Sequence, residues 1–113
     1  MNQKILINSQ NIILVNGDYK ETMTKHSYLN NKFMSVLMDC DLYESHKIAL
    51  PFVWHRLIAK GLIFLDEYYS LKFPGARIAT NEFFSDKHDK PEMFPRKAMD
   101  FERWFIQKNN NKK

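Results

Sequence analysis

The sequence FMSVLMDCD, residues 33–41, decides the fold because it joins an apolar strand to a pair of carboxylates. The run from Phe33 to Met38 has the length and composition of a buried strand, and Asp39 ends it. A second run, Leu62 to Leu65, has the same character and is ended by Asp66. Continuous apolar strands of this kind are typical of parallel sheets, which are covered on both faces.

Two helices are predicted around the second strand. The spacing from Ser45 to Lys60 predicts a helix that is capped by its first residue and followed by Gly61. Pro51 is expected to kink or restart this helix. Its predicted inner face consists of Ile48, Trp54, Leu57 and Ile58. A second helix is predicted from Ala76 to Phe84, after a Pro-Gly turn.

The two ends of the chain extend this pattern. Ile12 to Val15 is predicted to be a buried strand that ends at a turn, Asn16-Gly17-Asp18. Pro91 to Pro95 and Phe101 to Gln107 are predicted to form an antiparallel pair at the C-terminal edge. The order of strands and helices predicts an α/β fold with a mostly parallel sheet and right-handed crossovers. Because the sheet begins in mid-pattern, we expect either a missing segment or a partner that completes it.

Length, charge and composition limit the classes of protein to which this chain can belong. The chain has 113 residues, enough for one domain, which we place at 1–107, with a disordered basic tail at 108–113. The net charge of +4 falls to +1 without the three lysines of that tail, so no basic face for nucleic acid is predicted. No apolar run is long enough to cross a membrane. A single cysteine fits a reducing, cytoplasmic compartment.

Carboxylates follow both of the apolar strands. Asp39 and Asp41 follow the first, and Asp66 and Glu67 follow the second. Successive parallel strands end at the same edge of a sheet, where open α/β sheets bind ligands. Clustered carboxylates repel one another unless a cation neutralises them, and oxygen ligands suit Mg²⁺. Helix N-capping by acidic residues is the structural alternative, but two such pairs in succession favour a metal site.

Other candidate residues carry weaker signals. The histidines His26, His46, His55 and His88 lack a metal-ligand spacing, and we place His46 and His55 at the surface or boundary. Cys40 is interpreted as a small core residue. Three tyrosines lie near the acidic edge, the sheet edge that carries these carboxylates, and they could line a sugar pocket or pack in the core. They are Tyr43, Tyr68 and Tyr69.

Five segments carry a resemblance to a known family. They are NIILVNGDYKET (11–22), DCDLYES (39–45), GLIFLDEY (61–68), PGAR (74–77) and NEFF (81–84). In this order and spacing they resemble the macrocin O-methyltransferase family of S-adenosylmethionine (SAM)-dependent sugar methyltransferases. The resemblance covers residues 11 to 85 well and the tail loosely.

The resemblance implies the C-terminal half of a class I, Rossmann-like methyltransferase sheet that uses SAM and Mg²⁺. It implies that Asp39, Asp66 and Glu67 hold Mg²⁺, with two neighbouring hydroxyls of a sugar or glycoside acceptor completing the coordination. Asp41 would be the general base that takes the proton of the attacking hydroxyl. Gly17-Asp18 would lie near the adenine or ribose of SAM.

The sequence departs from the family in two ways. Glu67 stands where many relatives are expected to have aspartate. The Gly-rich loop that grips SAM, which precedes the resembling segment in class I methyltransferases, has no counterpart here. Three hypotheses follow: a methyltransferase fragment that needs an N-terminal half, a catalytically inactive remnant that binds at most a metal or partner, and an unrelated small α/β domain. A half-sheet with an unpaired edge is also expected to self-associate.

Overall fold

The computed structural model describes residues 4–8, 12–23, 31–97 and 101–109. The chain divides into two compact units, 1–31 and 32–113, where the sequence predicts a single partial domain over 1–107. In the described ranges, every helix is too short or too polar to pass through a bilayer.

The first unit is a two-stranded antiparallel sheet followed by one helical turn. Strand β1 (Lys4–Asn8) pairs with β2 (Ile13–Asn16), and helix α1 spans Tyr19–Thr22. Gly17 joins β2 to α1 with a φ of 142°, a conformation that favours glycine because it has no Cβ. Asp18 then caps α1, its Oδ1 accepting a hydrogen bond from the Lys20 amide at 3.0 Å.

The prediction of a buried strand at Ile12 to Val15 is corrected here. The strand exists, but it pairs antiparallel with β1, and its Ile13 and Leu14 side chains are 49% and 44% exposed. A strand next to its neighbour in sequence needs only a short connection, and short connections join antiparallel strands. Strand β1 was not predicted from the sequence, because polar residues flank Lys4–Asn8.

The second unit contains a four-stranded sheet with the order β3-β4-β6-β5. The strands are β3 (Phe33–Met38), β4 (Leu57–Leu65), β5 (Glu92–Met93) and β6 (Trp104–Gln107). β3 and β4 are parallel, whereas β6 runs antiparallel to both β4 and β5. This strand arrangement confirms the predicted α/β fold with an antiparallel C-terminal edge. The parallel strands β3 and β4 are joined by a crossover connection.

Two helices pack against each other in this unit, α2 (Tyr43–Arg56) and α3 (Pro74–Phe83). The helix α2 carries acidic Glu44 in its first turn and basic Arg56 in its last, which suits the helix dipole. It remains helical on both sides of Pro51, and Leu42 occupies the N-cap position without a side-chain bond, so the predicted Ser45 cap is wrong. Pro74 begins α3, where its fixed φ and missing amide cost little.

The predicted helix over Ser45 to Lys60 is too long by one turn, because β4 begins at Leu57. Lys60 donates its amide hydrogen to the Lys108 carbonyl, and the Lys108 amide donates to Gly61 at 2.9 Å. These bonds extend the pairing of β4 beyond the end of β6. Lys60 has a positive φ of 71°, which marks an irregular strand and ends any helical path. Ile58, predicted to face inward, is 45% exposed.

The core of the second unit lies on one face of the sheet together with α2 and α3. Its fully buried side chains include Leu50, Leu57, Ile63, Phe84 and Ile106. Trp54 meets Phe84 edge to face with 4.9 Å between ring centroids. On the opposite face the cross-strand neighbours Leu37, Phe64 and Phe105 are exposed or half-buried.

Lys108, assigned by sequence to the basic tail, belongs to the folded part instead. It is 7% exposed, and its ammonium donates to the carbonyls of Trp54 at 2.8 Å and Leu57 at 3.0 Å. The ammonium thereby satisfies carbonyls at the C-terminal end of α2, where helices leave acceptors unpaired. Residues 110–113 of the predicted tail lie outside the described residues.

Candidate functional site

The ends of β3 and β4 lie side by side. Met38 and Leu65 are the last paired residues of the parallel ladder, and the Asp66 amide donates to the Met38 carbonyl at 3.2 Å. The next residue after each strand is an aspartate, Asp39 and Asp66, so both carboxylates sit at the carboxyl edge of the sheet. The chain then turns into α2 after β3, and into a turn that carries Glu67 after β4.

Three of the predicted site carboxylates interact directly. The hydrogen bond that the protonated Asp66 carboxyl group donates to the Asp39 carboxylate is the main cause that raises the pKa of Asp66 to about 6, followed by partial burial and by the charges of Asp39 and Glu67. Glu67 also hydrogen-bonds with Asp66. The predicted convergence of the two acidic pairs therefore occurs for Asp39, Asp66 and Glu67. The hydrogen bond to Asp39, partial burial and the nearby like charges together let Asp66 keep its proton up to about pH 6.

These carboxylates do not form a ready metal site. Across the described ranges, no three His, Cys, Asp or Glu side chains are arranged to hold a metal ion. The hydrogen bonds at Asp66 join the carboxyl groups to one another. The metal-binding roles of Asp39, Asp66 and Glu67 stay a prediction.

Asp41 lies near His46 rather than in the contacts of Asp66. Burial lowers the pKa of His46, while the Leu42 carbonyl and the Asp41 charge act in the opposite sense. The His46 ring is 1% exposed, and its Nδ1 lies 3.1 Å from the Leu42 carbonyl oxygen and 3.7 Å from Cys40 Sγ. The prediction that His46 is a surface or boundary residue is therefore wrong. The His46 ring stabilises the turn between Asp39 and α2. The role of Asp41 as general base stays a prediction.

The three tyrosines near the acidic edge have separate roles. Tyr68 is buried and donates its hydroxyl hydrogen to Asn81 Oδ1 at 2.6 Å, which is the core-packing role. Tyr43 donates to Glu82 at 2.7 Å and links α2 to α3. Tyr69 is 44% exposed.

Gly17 and Asp18, predicted to lie near SAM, belong to the first unit. Gly17 makes the turn after β2, and the Asp18 carboxylate caps α1. Strand, turn and helix follow one another here, and Asp18 is exposed. Their contact with SAM stays a prediction.

The residues that line a pocket near the start of β6 were not predicted from the sequence. A pocket of about 190 Å³ opens beside Asp66, and it is lined by Leu37, Phe64, Leu65, Asp66, Phe94, Glu102, Arg103 and Trp104. Trp104 also packs against Tyr68, with 4.7 Å between centroids and 47° between ring planes, and the Arg77 guanidinium lies 4.8 Å from the Tyr68 ring centroid. The only sequence signal was the predicted antiparallel pair at 91–107, which brings Phe94 and Trp104 beside the acidic edge.

No family model matches the sequence, and no curated protein matches it. Among solved structures, the chain is similar to the apo structure of CalS11, described as a TDP-rhamnose 3'-O-methyltransferase and an enzyme in calicheamicin biosynthesis. The identity is 24% and the TM-score is 0.65.

The similarity covers 80% of this chain and 38% of the CalS11 chain, so the chain spans well under half the length of that neighbour. At this identity the likeness shows the fold alone, an α/β fold that this chain shares with part of CalS11. The finer resemblance to the macrocin O-methyltransferase family stays a prediction.

Proposed function

We propose that this chain is the C-terminal, acceptor-side part of a SAM-dependent O-methyltransferase that transfers a methyl group to a sugar hydroxyl with a divalent metal. The observation that carries the proposal is the cluster of Asp39, Asp66 and Glu67 at the carboxyl edge of the sheet, in a fold shared with a sugar O-methyltransferase. Open α/β sheets bind their ligands at that edge.

The chemistry of the cluster fits a hard cation such as Mg²⁺. All three groups are carboxylates, and oxygen is the donor that Mg²⁺ prefers. The raised pKa of Asp66 reflects its hydrogen bond to Asp39, its partial burial and the negative charges of Asp39 and Glu67. A bound cation would replace the proton and the hydrogen bonds that now join the carboxyl groups. Asp39, Asp66 and Glu67 would hold it, and it would lower the pKa of an acceptor hydroxyl.

Asp41 is proposed as the base that takes the proton from the attacking hydroxyl. Asp41 follows Asp39 by two residues, and the buried His46 ring contacts the turn on which Asp41 lies. A carboxylate within hydrogen-bond reach of the hydroxyl removes the proton as the oxygen attacks the methyl carbon of SAM. SAM would supply the methyl group, and much of the rate would come from holding both reactants in line.

The cofactor side of the proposal involves the first unit of the chain. Gly17 and Asp18 would contact the adenine or ribose of SAM, and a further Gly-rich segment would grip the rest of the cofactor. A sugar or glycoside with neighbouring hydroxyls is the proposed acceptor, and nucleic acid and membrane are not proposed as partners.

Calorimetric titration of the full chain with Mg²⁺ and with Mn²⁺ tests the metal part of the proposal. We expect saturable binding that Asp39→Asn and Asp66→Asn each weaken at least tenfold, since each removes one charged ligand. Asp86→Asn is the matched control, because Asp86 is an exposed aspartate paired with Lys87. Equal binding by all four proteins would contradict the metal site and favour the alternative, a remnant without catalysis.

A further inference from the structure

The side chain of His46 is buried where the turn after β3 enters α2. His46 is the fourth residue of α2, and its ring is 1% exposed. Its Nδ1 lies 3.1 Å from the Leu42 carbonyl oxygen and 3.7 Å from Cys40 Sγ. Leu42 holds the N-cap position of α2 without a side-chain hydrogen bond. The His46 ring therefore bonds the turn at residues 39–42 to the first turn of the helix.

The hydrogen bonds at Leu42 assign the proton of the neutral ring. The Leu42 carbonyl oxygen accepts the His46 backbone amide at 3.1 Å, and a carbonyl can only accept. Nδ1 must therefore carry a hydrogen in order to bond to the same oxygen. The neutral ring is the Nδ1–H tautomer, so Nε2 is the nitrogen that takes up a proton in acid. Protonation adds a full charge to the ring and leaves the bond from Nδ1 to Leu42 in place.

A positive charge on this ring is unfavourable in its buried position. Burial withdraws the imidazolium from water, and it is the main cause that lowers the pKa of His46 below the usual 6.5. The ring also belongs to the N-terminal end of α2, where the helix dipole disfavours a cation. The Leu42 carbonyl and the Asp41 charge act in the opposite direction and offset the effect of burial only in part.

The other charged groups on the elements around His46 are solvated or bonded to one another. Those near it on α2 and on α3 are exposed, and those at the strand ends are joined by the hydrogen bonds of Asp66. Asp41 is the residue whose charge acts on the ring. The other groups are Glu44 and Lys47 on α2, Arg77 and Glu82 on α3, and Asp39, Asp66 and Glu67 at the strand ends.

We propose that His46 is a pH-sensitive switch of the turn that carries Asp39 and Asp41. The neutral ring holds this turn against α2, and protonation at Nε2 in mild acid expels the ring from its buried position and loosens the turn. This inference goes beyond the proposed function, because it describes a response of the chain itself, whether or not a metal or SAM binds.

The direction of the pH effect follows from the lowered pKa of His46. The unfolded chain takes up the proton near pH 6.5, whereas the folded chain takes it up only at lower pH. The contribution of the buried ring to stability is therefore complete above about pH 6.5, falls as the pH drops below that value, and levels off below the folded-state pKa. Asp66 has the opposite effect, since its contribution is lost as the pH rises through about 6.

NMR of the ¹⁵N-labelled full chain between about pH 8 and about pH 4.5 tests the switch. Correlation of ring nitrogens with ring hydrogens reports the tautomer and the titration of His46, and amide hydrogen exchange, corrected for its intrinsic pH dependence, reports the turn. We expect the Nδ1–H tautomer at neutral pH and a ring midpoint below 6.5. Exchange of the His46 amide should become about tenfold faster for each pH unit that separates the unfolded-state and folded-state pKa values.

Two variants separate His46 from the neighbouring carboxylates. His46→Asn keeps a side-chain N–H for the Leu42 carbonyl but does not titrate, so we expect the corrected amide exchange at position 46 to be independent of pH. His55→Asn is the matched control, because His55 lies on the same helix and is exposed, and it should respond like the unmodified chain.

The unmodified chain also gives a test that does not depend on either variant folding. The His46 ring and the amides of residues 40–46 should change with the same midpoint. A ring that becomes protonated while these amides keep their protection would overturn the proposal, as would a ring midpoint at or above 6.5. An acid response that persists in folded His46→Asn would also overturn it, because the carboxylates would then be the cause.

Discussion

The amide of Asp66 donates a hydrogen bond to the carbonyl of Met38 at 3.2 Å, one residue beyond the last pair of the parallel ladder. This bond sets the register in which β3 and β4 end, so Asp39 and Asp66 follow in adjacent positions. A shift of one residue in that register would turn side chains to the other face of the sheet. The acidic edge is thus a consequence of how two apolar strands pair.

The first prediction concerns the pH dependence of stability without metal. The folded-state pKa of Asp66 is about 6, against 3.8 for the unfolded chain, so the folded protein holds its proton more tightly. Its contribution to stability is complete below about pH 4 and is lost as the pH rises through about 6. Thermal unfolding of the chain in chelator at low salt should show this loss, and Asp66→Asn should remove it.

The difference between the two melting curves isolates Asp66 from the general charge repulsion of a basic protein. Because Asp66 is exposed, salt should reduce the effect. A melting temperature that changes with pH by the same amount in both proteins would show that Asp39 and Glu67 exert no strain on Asp66.

The second prediction concerns Lys108. Lys108→Met removes an ammonium that donates to two carbonyls at the end of α2 and leaves both without that donor in a buried place. We expect the free energy of unfolding to fall by about 1–3 kcal/mol. Urea unfolding measures it, with Lys72→Met as the control, because Lys72 is exposed and should change stability by less than about 0.5 kcal/mol. If the Lys108 and Lys72 variants were equally stable, Lys108 would belong to the predicted tail and not to the folded part, which would contradict the prediction.

The third prediction concerns Gly61 in β4. A Cβ at this position would lie 2.7 Å from Leu57 Cγ and 2.9 Å from the Ile58 carbonyl oxygen. The carbonyl belongs to the backbone and cannot move aside cheaply, so Gly61→Ala should cost about 1–3 kcal/mol of stability. Chemical unfolding checks this, and a variant as stable as the unmodified chain would mean that the irregular start of β4 is wrongly described.

The fourth prediction concerns self-association. In the described part of the sheet, β3 is an edge strand, and its Met34 is 72% exposed. Met34→Lys places a charge on that edge and should shift the chain toward monomer in sedimentation velocity. Leu71→Lys adds the same charge at a site 92% exposed outside the strands and should leave the distribution unchanged. If the unmodified chain were already monomeric at high concentration, the prediction would be contradicted.

The sequence predicted the parts of the fold that depend on local hydrophobic patterns. The strand at Phe33 to Met38 has the predicted bounds, and the acidic residues that end both strands meet as expected. It did not predict β1, because a short strand among polar residues has no pattern strong enough to distinguish it. The hydrophobic spacing through Leu57 fits a helix as well as a strand, and pairing with the chain at Lys108 decides between them.

The pocket could not have been predicted in the same way. Phe94 and Trp104 are ten residues apart in sequence, and only the antiparallel pairing of β5 with β6 brings their neighbourhoods together next to Asp66. His46 was misplaced because a polar residue near a helix start reads as exposed, whereas its ring bonds to the turn behind it. Contacts of this kind depend on tertiary structure and leave little trace in residue spacing.

The most direct test of the central claim is calorimetric titration of the full chain with S-adenosylhomocysteine, with and without Mg²⁺. We expect binding that is enhanced by Mg²⁺ and that loses this enhancement in Asp39→Asn and Asp66→Asn, while Asp86→Asn behaves like the unmodified chain. A folded chain that binds S-adenosylhomocysteine equally well in all these proteins with or without Mg²⁺, or that binds none even with an added Gly-rich cofactor-binding half, would contradict it.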